Sequence, residues 1–390
     1  MIYLDNAAST EPAPEVLDAL RATAAELYAN PASAHAGGAA AARALARARD
    51  EVAVALDVEP GELIFTSGGT EADALGVLGA ARAARGRHIV ISALEHPAVG
   101  RCADALAADG WAMDVVAPTA SGLVSADAVA AAVRPETTVV ALMLVNNEIG
   151  TRQPVAEVAR LLGPAGDRKR PGRPHLHVDA VQAFGLQRLR PRALGADSVA
   201  VSAHKLHGPR GAGALWLRPG ARLAPLWVGG GQERGLRGGS ENLPAIVGFG
   251  VAATLARAAM QAGVEEQVAA LRDRFEQSAL AALAAVVPGV RPTVTGAARA
   301  PHIASLAFPG LPAEPLLHAL EARGVLASAG SACASRTAGP SPTLKAIGID
   351  DRTAVLRFSL SRRTPSAAAD AAVAALVDAV RELASGPPRG

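Results

Sequence analysis

The sequence predicts an α/β protein in which a mostly parallel sheet forms a large domain and a smaller α+β domain completes the chain. Between Pro14 and Leu217, short apolar strand-like runs alternate with helix-like runs. That alternation is typical of parallel strands joined by right-handed helical crossovers. The length of 390 residues favours more than one core. Beyond the alternating part, the pattern changes, which indicates the second unit.

The predicted strands of the large domain are short and apolar along their whole length. The strand Ile64–Thr66 leads through a glycine-rich turn into a helix over Glu71–Arg85, and His88–Ser92 leads into a helix over Pro97–Asp109. Uniformly apolar strands indicate a sheet that is covered on both faces. The other predicted strands are Val139–Val145, Leu176–Val178, Ser198–Val201 and Gly213–Trp216.

The C-terminal half begins with a glycine-rich stretch, Gly229–Gly239, which interrupts the alternation. A long helical pattern over Leu243–Val287 follows, and Gly263 predicts a break within it. The alanine-rich segments Gly37–Arg49 and Pro365–Leu383 predict further helices, because alanine has the highest helix propensity.

These elements divide the chain into two predicted domains. We expect the large domain to span residues 14–258, and the small domain to combine residues 1–13 with residues 259–390. The last helix is expected to start with Thr364 as its N-cap and Pro365 at its first position.

Composition excludes several classes of function. The chain has 38 basic and 36 acidic residues, a balance that lacks the positive field of a dedicated nucleic-acid binder. The basic stretch Asp167–Arg173 is interpreted as a solvated loop, with docking to an acidic partner as the alternative. Two distant cysteines indicate a reducing cytoplasm. Val139–Val145 is too short to cross a bilayer, and no signal peptide is expected.

A first candidate binding motif is Thr66–Glu71, with the sequence TSGGTE between a strand and a helix. Amides at a helix N-terminus can hold a phosphate where glycines allow close approach, and Thr70 adds a hydroxyl donor. The motif is neither a Walker P-loop nor GxGxxG. Taken alone, it is equally consistent with a purely structural turn.

The second and third motifs each present one functional group after a strand. Asp179 follows Leu176–Val178, at the sheet edge where α/β proteins bind ligands, although a helix N-cap is the simpler interpretation. Lys205 lies within Ser202–Pro209, where a partly desolvated amine could form a Schiff base, although most lysines are solvated surface charges.

The three motifs together predict pyridoxal phosphate as cofactor. This cofactor needs a phosphate site, a carboxylate for its ring nitrogen and a lysine amine for its aldehyde, and the chain offers all three on one α/β domain. No metal site is predicted.

The fourth motif is Ala327–Ser335, which presents Cys333 among small residues. We interpret Cys333 as a reactive thiol on a mobile loop of about residues 327–340, with a buried cysteine as the alternative. Cys102 lies within a helical pattern and is interpreted as buried.

With these motifs in view, the sequence resembles the cysteine desulfurases of the NifS/IscS-like group, within the class V aminotransferase family. The resemblance covers nearly the whole chain and implies fold type I of the pyridoxal-phosphate enzymes, with a seven-stranded type of sheet. The matching segments are Tyr3–Ala8, Asn30–Pro31, Thr66–Glu71, Glu95–His96, Val145–Gly150, Asp179–Gln182, Ser202–Pro209, Gly229–Asn242, Ser331–Ser335 and Arg357–Ser359.

The resemblance also implies residue roles. Lys205 would hold the cofactor and later remove the substrate's α-proton. Asp179 would pair with the ring nitrogen and Gln182 with the phenolic oxygen. His96 would stack on the ring and carry protons, and Asn147 would orient cofactor and substrate. The residues implied around the phosphate are Gly69, Thr70, Ser202 and His204.

Three further residues complete the implied site. Arg357 would bind the substrate carboxylate, and Cys333 would take the sulfur of L-cysteine as a persulfide while L-alanine is released. Ser240 replaces a threonine that in relatives reaches the phosphate of the neighbouring subunit, so a homodimer is expected. A sulfur-acceptor protein is the implied partner, for iron–sulfur cluster or thio-cofactor biosynthesis.

Two other functions are compatible with the same residues. One is a different class V aminotransferase or lyase, such as a selenocysteine lyase, although ordinary aminotransferases do not require a loop thiol. The other is a non-catalytic assembly scaffold, against which the intact Lys205, Asp179, His96 and Cys333 argue.

Overall fold

The computed structural model describes residues 1–163, 173–330, 341–350 and 352–384. Its strands are β1 Ile2–Tyr3, β2 Leu63–Thr66, β3 His88–Ser92, β4 Ala112–Val116, β5 Thr137–Ala141, β6 His175–Asp179, β7 Ser198–Ser202, β8 Gly213–Leu217, β9 Arg291–Pro292, β10 Ile303–Pro309, β11 Val325–Leu326 and β12 Thr353–Ser359. Its α-helices are α1 Pro14–Glu26, α2 Ala36–Leu56, α3 Gly69–Arg82, α4 Pro97–Ala108, α5 Ala126–Ala131, α6 Val155–Leu162, α7 Leu243–Gln261, α8 Val264–Leu283, α9 Ala313–Ala322, α10 Pro342–Ala346 and α11 Ser366–Ala384.

The central sheet has seven strands in the order β2-β8-β7-β6-β5-β3-β4. Neighbouring strands from β7 through β4 are parallel, whereas β8 is antiparallel to both β7 and β2. The prediction of a mostly parallel sheet is therefore confirmed. Because β3, β5, β6 and β7 run in one direction, their carboxyl ends meet at one edge.

Two strand predictions differ from the structure. β5 ends at Ala141, four residues before the predicted end, although Leu142 and Leu144 still donate to carbonyls of β6. The chain then turns at Asn146, whose Oδ1 accepts the amides of Glu148 and Ile149. The strand β4 was not predicted. It is an edge strand with a half-exposed pattern, so its sequence lacks a continuous apolar run.

The long helical segment after the glycine-rich stretch breaks as predicted. Gly263, with φ of 78°, separates α7 from α8, and this left-handed backbone favours glycine. α7 has a mean hydropathy of 1.6 over an 18-residue window, so by length and composition it could cross a membrane. Half of that window is buried, and α7 packs against α1 and α2 as a core helix.

A second hydrophobic core lies outside the large sheet. The antiparallel strands β9, β10 and β12 pack against α8, α9 and α11, and Phe275 and Phe358 meet at 5.0 Å between ring centroids. Leu4 belongs to this core although it lies at the start of the chain.

The last helix begins at Ser366, one residue later than predicted. Thr364 is not its N-cap, because Thr364 Oγ1 accepts the Ser361 amide instead of a helix amide.

Candidate active site

A cavity of about 230 Å³ lies at the carboxyl edge of the parallel strands. It is where α/β sheets bind ligands, and predicted site residues from distant segments meet there. The lining residues are Ala7, Ala8, Gly69, Thr70, Asp73, His96, Met143, Asn147, Asp179, Val181, Gln182, His204, Lys205 and Arg357.

The predicted phosphate site is the junction of β2 and α3. α3 begins at Gly69, and a β-carbon there would lie 2.7 Å from Val181 Cγ2, so the close approach requires glycine. That β-carbon would also lie 3.5 Å from Ser202 Cβ, which places Ser202 beside the helix N-terminus. Ser202 Oγ is buried and has no hydrogen-bond partner among the described residues. Such a hydroxyl is an available donor for an anion.

Asp179 is the last residue of β6, and its Oδ1 accepts the Val181 amide at 2.9 Å. Burial raises the pKa of this carboxyl, whereas the Val181 amide and the charge of Lys205 lower it. Asp179 therefore both stabilises the turn after β6 and lines the cavity.

His96 is the N-cap of α4, and its Nδ1 accepts the Ala98 amide at 3.1 Å. An accepting Nδ1 leaves the proton of the neutral ring on Nε2. Burial is the main cause that lowers the His96 pKa, so the neutral ring is favoured. A neutral imidazole of fixed tautomer is suited to stacking and to proton transfer.

Lys205 follows β7 on a short 3₁₀ turn, Ala203–Lys205. Its Nζ donates to the carbonyl of Ala7 at 2.6 Å and to that of Ala8 at 2.8 Å. The amine is thereby fixed at the junction of the large sheet and the N-terminal segment.

Gln182 is held from two directions. Its Nε2 donates to the Ala7 carbonyl at 2.8 Å, and its Oε1 lies 3.1 Å from His302 Nε2. His204 lies beside Lys205, and burial lowers its pKa to about 4, with Lys205 contributing.

Arg357, on β12, is almost fully buried. Its guanidinium donates to the Asn147 carbonyl at 2.7 Å and to Asp5 Oδ1 at 2.7 Å. Its Nε is buried without a partner among the described residues, so one donor remains for a ligand.

Two residues of this site were missed by the sequence analysis. Asp73 lines the cavity and lies three residues after Thr70, a spacing that places both on one face of α3. That spacing could have identified Asp73. Asp5 lies in the segment Tyr3–Ala8, but nothing in that segment indicates that it pairs with Arg357 on β12.

Other predicted residues lie elsewhere. Ser240 is exposed and does not line the cavity of this chain. Cys333 lies outside the described residues. The prediction of a solvated loop over Asp167–Arg173 lies outside the described residues except at Arg173. There it is wrong, because the Arg173 side chain is buried in an ion pair with Asp197.

Cys102 is buried on α4, as predicted, and burial raises the pKa of its thiol to about 11. In the described part of the chain, no group of three or more His, Cys, Asp or Glu side chains could hold a metal ion.

Comparison with known proteins places the chain among related sequences and structures. The model of the family "Aminotransferase class-V" matches residues 2–371. A cysteine desulfurase of Trichormus azollae is 36% identical over 98% of this chain and 94% of its own length. One of Bradyrhizobium diazoefficiens is 39% identical over 98% of this chain and 95% of its own length. The solved structure of a NifS-like protein matches with a TM-score of 0.86 and 30% identity, covering 97% of this chain and 98% of that one.

Proposed function

The chain belongs to the class-V aminotransferase family, and we propose that within this family it is a cysteine desulfurase. It converts L-cysteine to L-alanine and leaves the sulfur as a persulfide on Cys333. The observation that carries this proposal is the cavity, in which the Lys205 amine, the Asp179 carboxyl group and the Arg357 guanidinium converge. Relatives that are named cysteine desulfurases match over nearly the full length.

The residues of the cavity fit pyridoxal phosphate. Its phosphate needs donors, and the N-terminus of α3, Thr70 and the unpartnered Ser202 Oγ would supply them. Its ring nitrogen needs a carboxylate, which Asp179 would supply, and its aldehyde needs the amine of Lys205. When bound, the cofactor supplies an aldehyde that condenses with amines and a ring that draws electrons from the substrate's α-carbon.

Three side chains would act on L-cysteine before the sulfur step. Arg357 binds the substrate carboxylate with donors that Asn147 and Asp5 leave unused. The Lys205 amine takes the α-proton, since a desolvated amine is a suitable general base. His96 is neutral and has its proton on Nε2, so it can donate a proton from that atom and take one back there.

The sulfur step requires a thiolate. Cys333 attacks the substrate sulfur, a sulfur–sulfur bond forms, and the carbon–sulfur bond breaks with its electron pair remaining on carbon. Protonation of that carbon gives alanine. Cys102 is unsuited to this role, because burial raises its pKa to about 11 and keeps it protonated.

Three wider properties belong to the same proposal. Ser240 is exposed on this chain, consistent with a role at the site of a second copy in a homodimer. The persulfide would pass to a sulfur-acceptor protein that serves iron–sulfur cluster or thio-cofactor synthesis. The cysteine content favours a cytoplasmic setting.

The proposal is tested by the visible absorption of the purified protein before and after adding L-cysteine, with alanine and sulfide assayed. An absorption band of the bound cofactor should shift on adding L-cysteine while alanine appears. A band without alanine or sulfide would leave the cofactor assignment standing and move the reaction to another chemistry of the family.

Cys333→Ser tests the thiol, and Cys102→Ser is the matched control. Cys333→Ser should keep the cofactor band and lose alanine formation, whereas Cys102→Ser should keep both. Alanine formation at the wild-type rate in Cys333→Ser would overturn the assignment of Cys333.

A further inference from the structure

A second carboxyl group lies at the cavity beside Asp179. Asp73, on α3, is 1% exposed and lines the same cavity. Asp73 has no role in the mechanism above, and it is not needed for the phosphate, the ring nitrogen or the aldehyde of the cofactor. Two neighbouring buried carboxyl groups repel each other when both are charged, so one of them is favoured to keep its proton.

Asp73 is the first member of a series of hydrogen bonds that leads away from the cavity. Its Oδ1 lies 3.1 Å from His177 Nε2, and His177 Nδ1 lies 2.8 Å from Ser198 Oγ. Ser198 Oγ in turn lies 2.7 Å from His175 Nε2. Asp73, His177 and Ser198 are all buried. We call Asp73, His177, Ser198 and His175 the relay.

The backbone explains why these side chains meet. His175, His177 and Asp179 alternate along β6, so they project from one face of the sheet. Ser198, on β7, is paired with His177 in the strand register. α3 crosses that face with Gly76 against the imidazole, and a β-carbon there would lie 2.2 Å from His177 Nδ1.

The charges around Asp73 determine which carboxyl keeps the proton. Burial raises the Asp73 pKa well above its ordinary value, and the charges of Asp179 and Glu95 raise it further. From α4 the facing group is the Cys102 thiol, which is uncharged at neutral pH because burial raises its pKa to about 11. His177 is neutral, since burial lowers its pKa to about 3.

Asp179 differs from Asp73 in its neighbours. The hydrogen bond from the Val181 amide and the charge of Lys205 lower its pKa, which opposes the effect of burial. Of the two carboxyl groups, Asp179 is therefore the one that ionises more readily.

The outer end of the relay reaches a different surface. His175 is half-buried and lines a groove of about 570 Å³, together with Arg173, Asp197 and Arg218. Burial, with the charges of Arg173 and Arg218, lowers the His175 pKa to about 4, so this ring is also neutral and can both accept and donate.

We propose that Asp73 is a positioning residue that keeps its proton beside an ionised Asp179 and exchanges that proton with the outer groove through the relay. In one state, Asp73 donates to His177 Nε2, His177 Nδ1 donates to Ser198, and Ser198 donates to His175 Nε2. Moving each proton to its acceptor, with one released from His175 Nδ1 to water, leaves Asp73 charged and every ring neutral. The inference rests on the proposed function where it assigns Asp179 to the cofactor nitrogen.

The test uses ¹⁵N NMR of ring-labelled histidines across a pH series, on the cofactor-free full chain. At neutral pH we expect the His177 proton on Nδ1, and on raising the pH we expect it to move to Nε2 as Asp73 ionises. Asp73→Asn should abolish this tautomer change, because an amide does not titrate. Ser198→Ala should leave the tautomer change at His177, but the His175 spectrum should no longer change along with it.

The outcomes separate this inference from the proposed function. A His177 proton on Nε2 at every pH, or an unaltered tautomer change in Asp73→Asn, would overturn the relay. If Asp73 had a purely structural role, Asp73→Asn would lower the urea midpoint, and the wild-type histidine spectra would show no tautomer change with pH. That result would also overturn the relay. Failure to form alanine from L-cysteine would overturn the function and leave the cofactor-free NMR result intact.

Discussion

The two walls of the cavity are built in different ways. The sheet wall, drawn from residues 69–73, 179–182 and 202–205, is made of strand ends and helix starts. Its backbone is set by local bonds such as that from the Val181 amide to Asp179, although Gln182 and Lys205 also reach across to the N-terminal segment. The terminal wall, formed by Ala7, Ala8 and Arg357, joins segments that lie 352 residues apart at the Asp5–Arg357 ion pair behind it.

The two walls should therefore differ in what a substitution changes: catalytic activity in the sheet wall, and the stability of the folded chain in the terminal wall. A substitution in the sheet wall changes groups that the local backbone continues to position. One in the terminal wall also removes a bond between the two ends of the chain, because the Ala7 amide and the Asn6 side chain are bound to Ser359 nearby. We therefore expect sheet-wall variants to lose activity first and terminal-wall variants to lose stability first.

The largest expected effect is at Lys205, which belongs to the sheet wall and contacts the terminal wall. Lys205→Ala should lower the rate of alanine formation by at least about 10²–10⁴-fold, the usual contribution of a general base. Lys205→Arg is the matched control, because it keeps a cation that can donate to the Ala7 and Ala8 carbonyls. Both variants should be inactive in a single-turnover assay, and an active Lys205→Arg would contradict a role for the primary amine.

The next effect distinguishes the terminal wall. Asp5→Asn should lower the free energy of unfolding by about 2 kcal/mol, because the buried Arg357 loses its counter-charge but keeps the Asn147 carbonyl. Urea denaturation measures this loss, with the exposed Asp18→Asn as control. An unchanged urea midpoint in Asp5→Asn would show that the ion pair does not hold the two ends together.

This difference also explains how far the sequence could predict the site. The residues of the sheet wall follow strands or open helices within short motifs, so the order of Gly69, Asp179 and Lys205 along an α/β pattern indicated a common site before the structure was known. In the structure Gly69, Asp179 and Lys205 line one cavity.

The terminal wall could not be derived in the same way. Asp5 and Arg357 meet only because β12 pairs with β10 in the second core and the N-terminal segment lies alongside β12. No periodicity in one segment encodes a contact with the other. Resemblance to a family supplied Arg357, and only the folded chain supplied Asp5 as its partner.

Ser202 allows a test of the sheet wall in which stability and binding change in opposite directions. Its buried hydroxyl has no partner among the described residues, and leaving such a group unpaired costs about 1–3 kcal/mol. Ser202→Ala should therefore raise the free energy of unfolding of the cofactor-free protein by about 1 kcal/mol. It should also weaken pyridoxal-phosphate binding by roughly tenfold, as measured by absorbance titration.

Ser92 provides the matched control, because it also ends a parallel strand but its hydroxyl bonds Glu95 and the Leu94 amide. Ser92→Ala should destabilise the cofactor-free protein. If the two variants shifted stability in the same direction, the unpaired state of Ser202 would be refuted.

The last prediction concerns the pH dependence of stability and one buried carboxyl group, Glu95. Glu95 lies beside the sheet wall, and burial raises its pKa to about 8, although the Met143 amide and Ser92 hydroxyl favour its charged form. Because the unfolded chain releases this proton near pH 4.5, the stabilisation is complete below that pH and is lost as the pH rises to 8. The loss is at most about 1.4 kcal/mol per pH unit.

Glu95→Gln should remove this dependence, since an amide resembles the protonated acid at every pH. The difference in urea midpoint between variant and wild type should therefore grow in favour of the variant from pH 5 to pH 8, with the exposed Glu157→Gln as the matched control. Asp73, Asp179 and Glu148 also have raised pKa values, but they are common to both proteins and largely cancel in the difference. Parallel curves would mean that Glu95 is charged in the native state, and that the sheet wall, like the ion-paired terminal wall, tolerates ionised carboxylates.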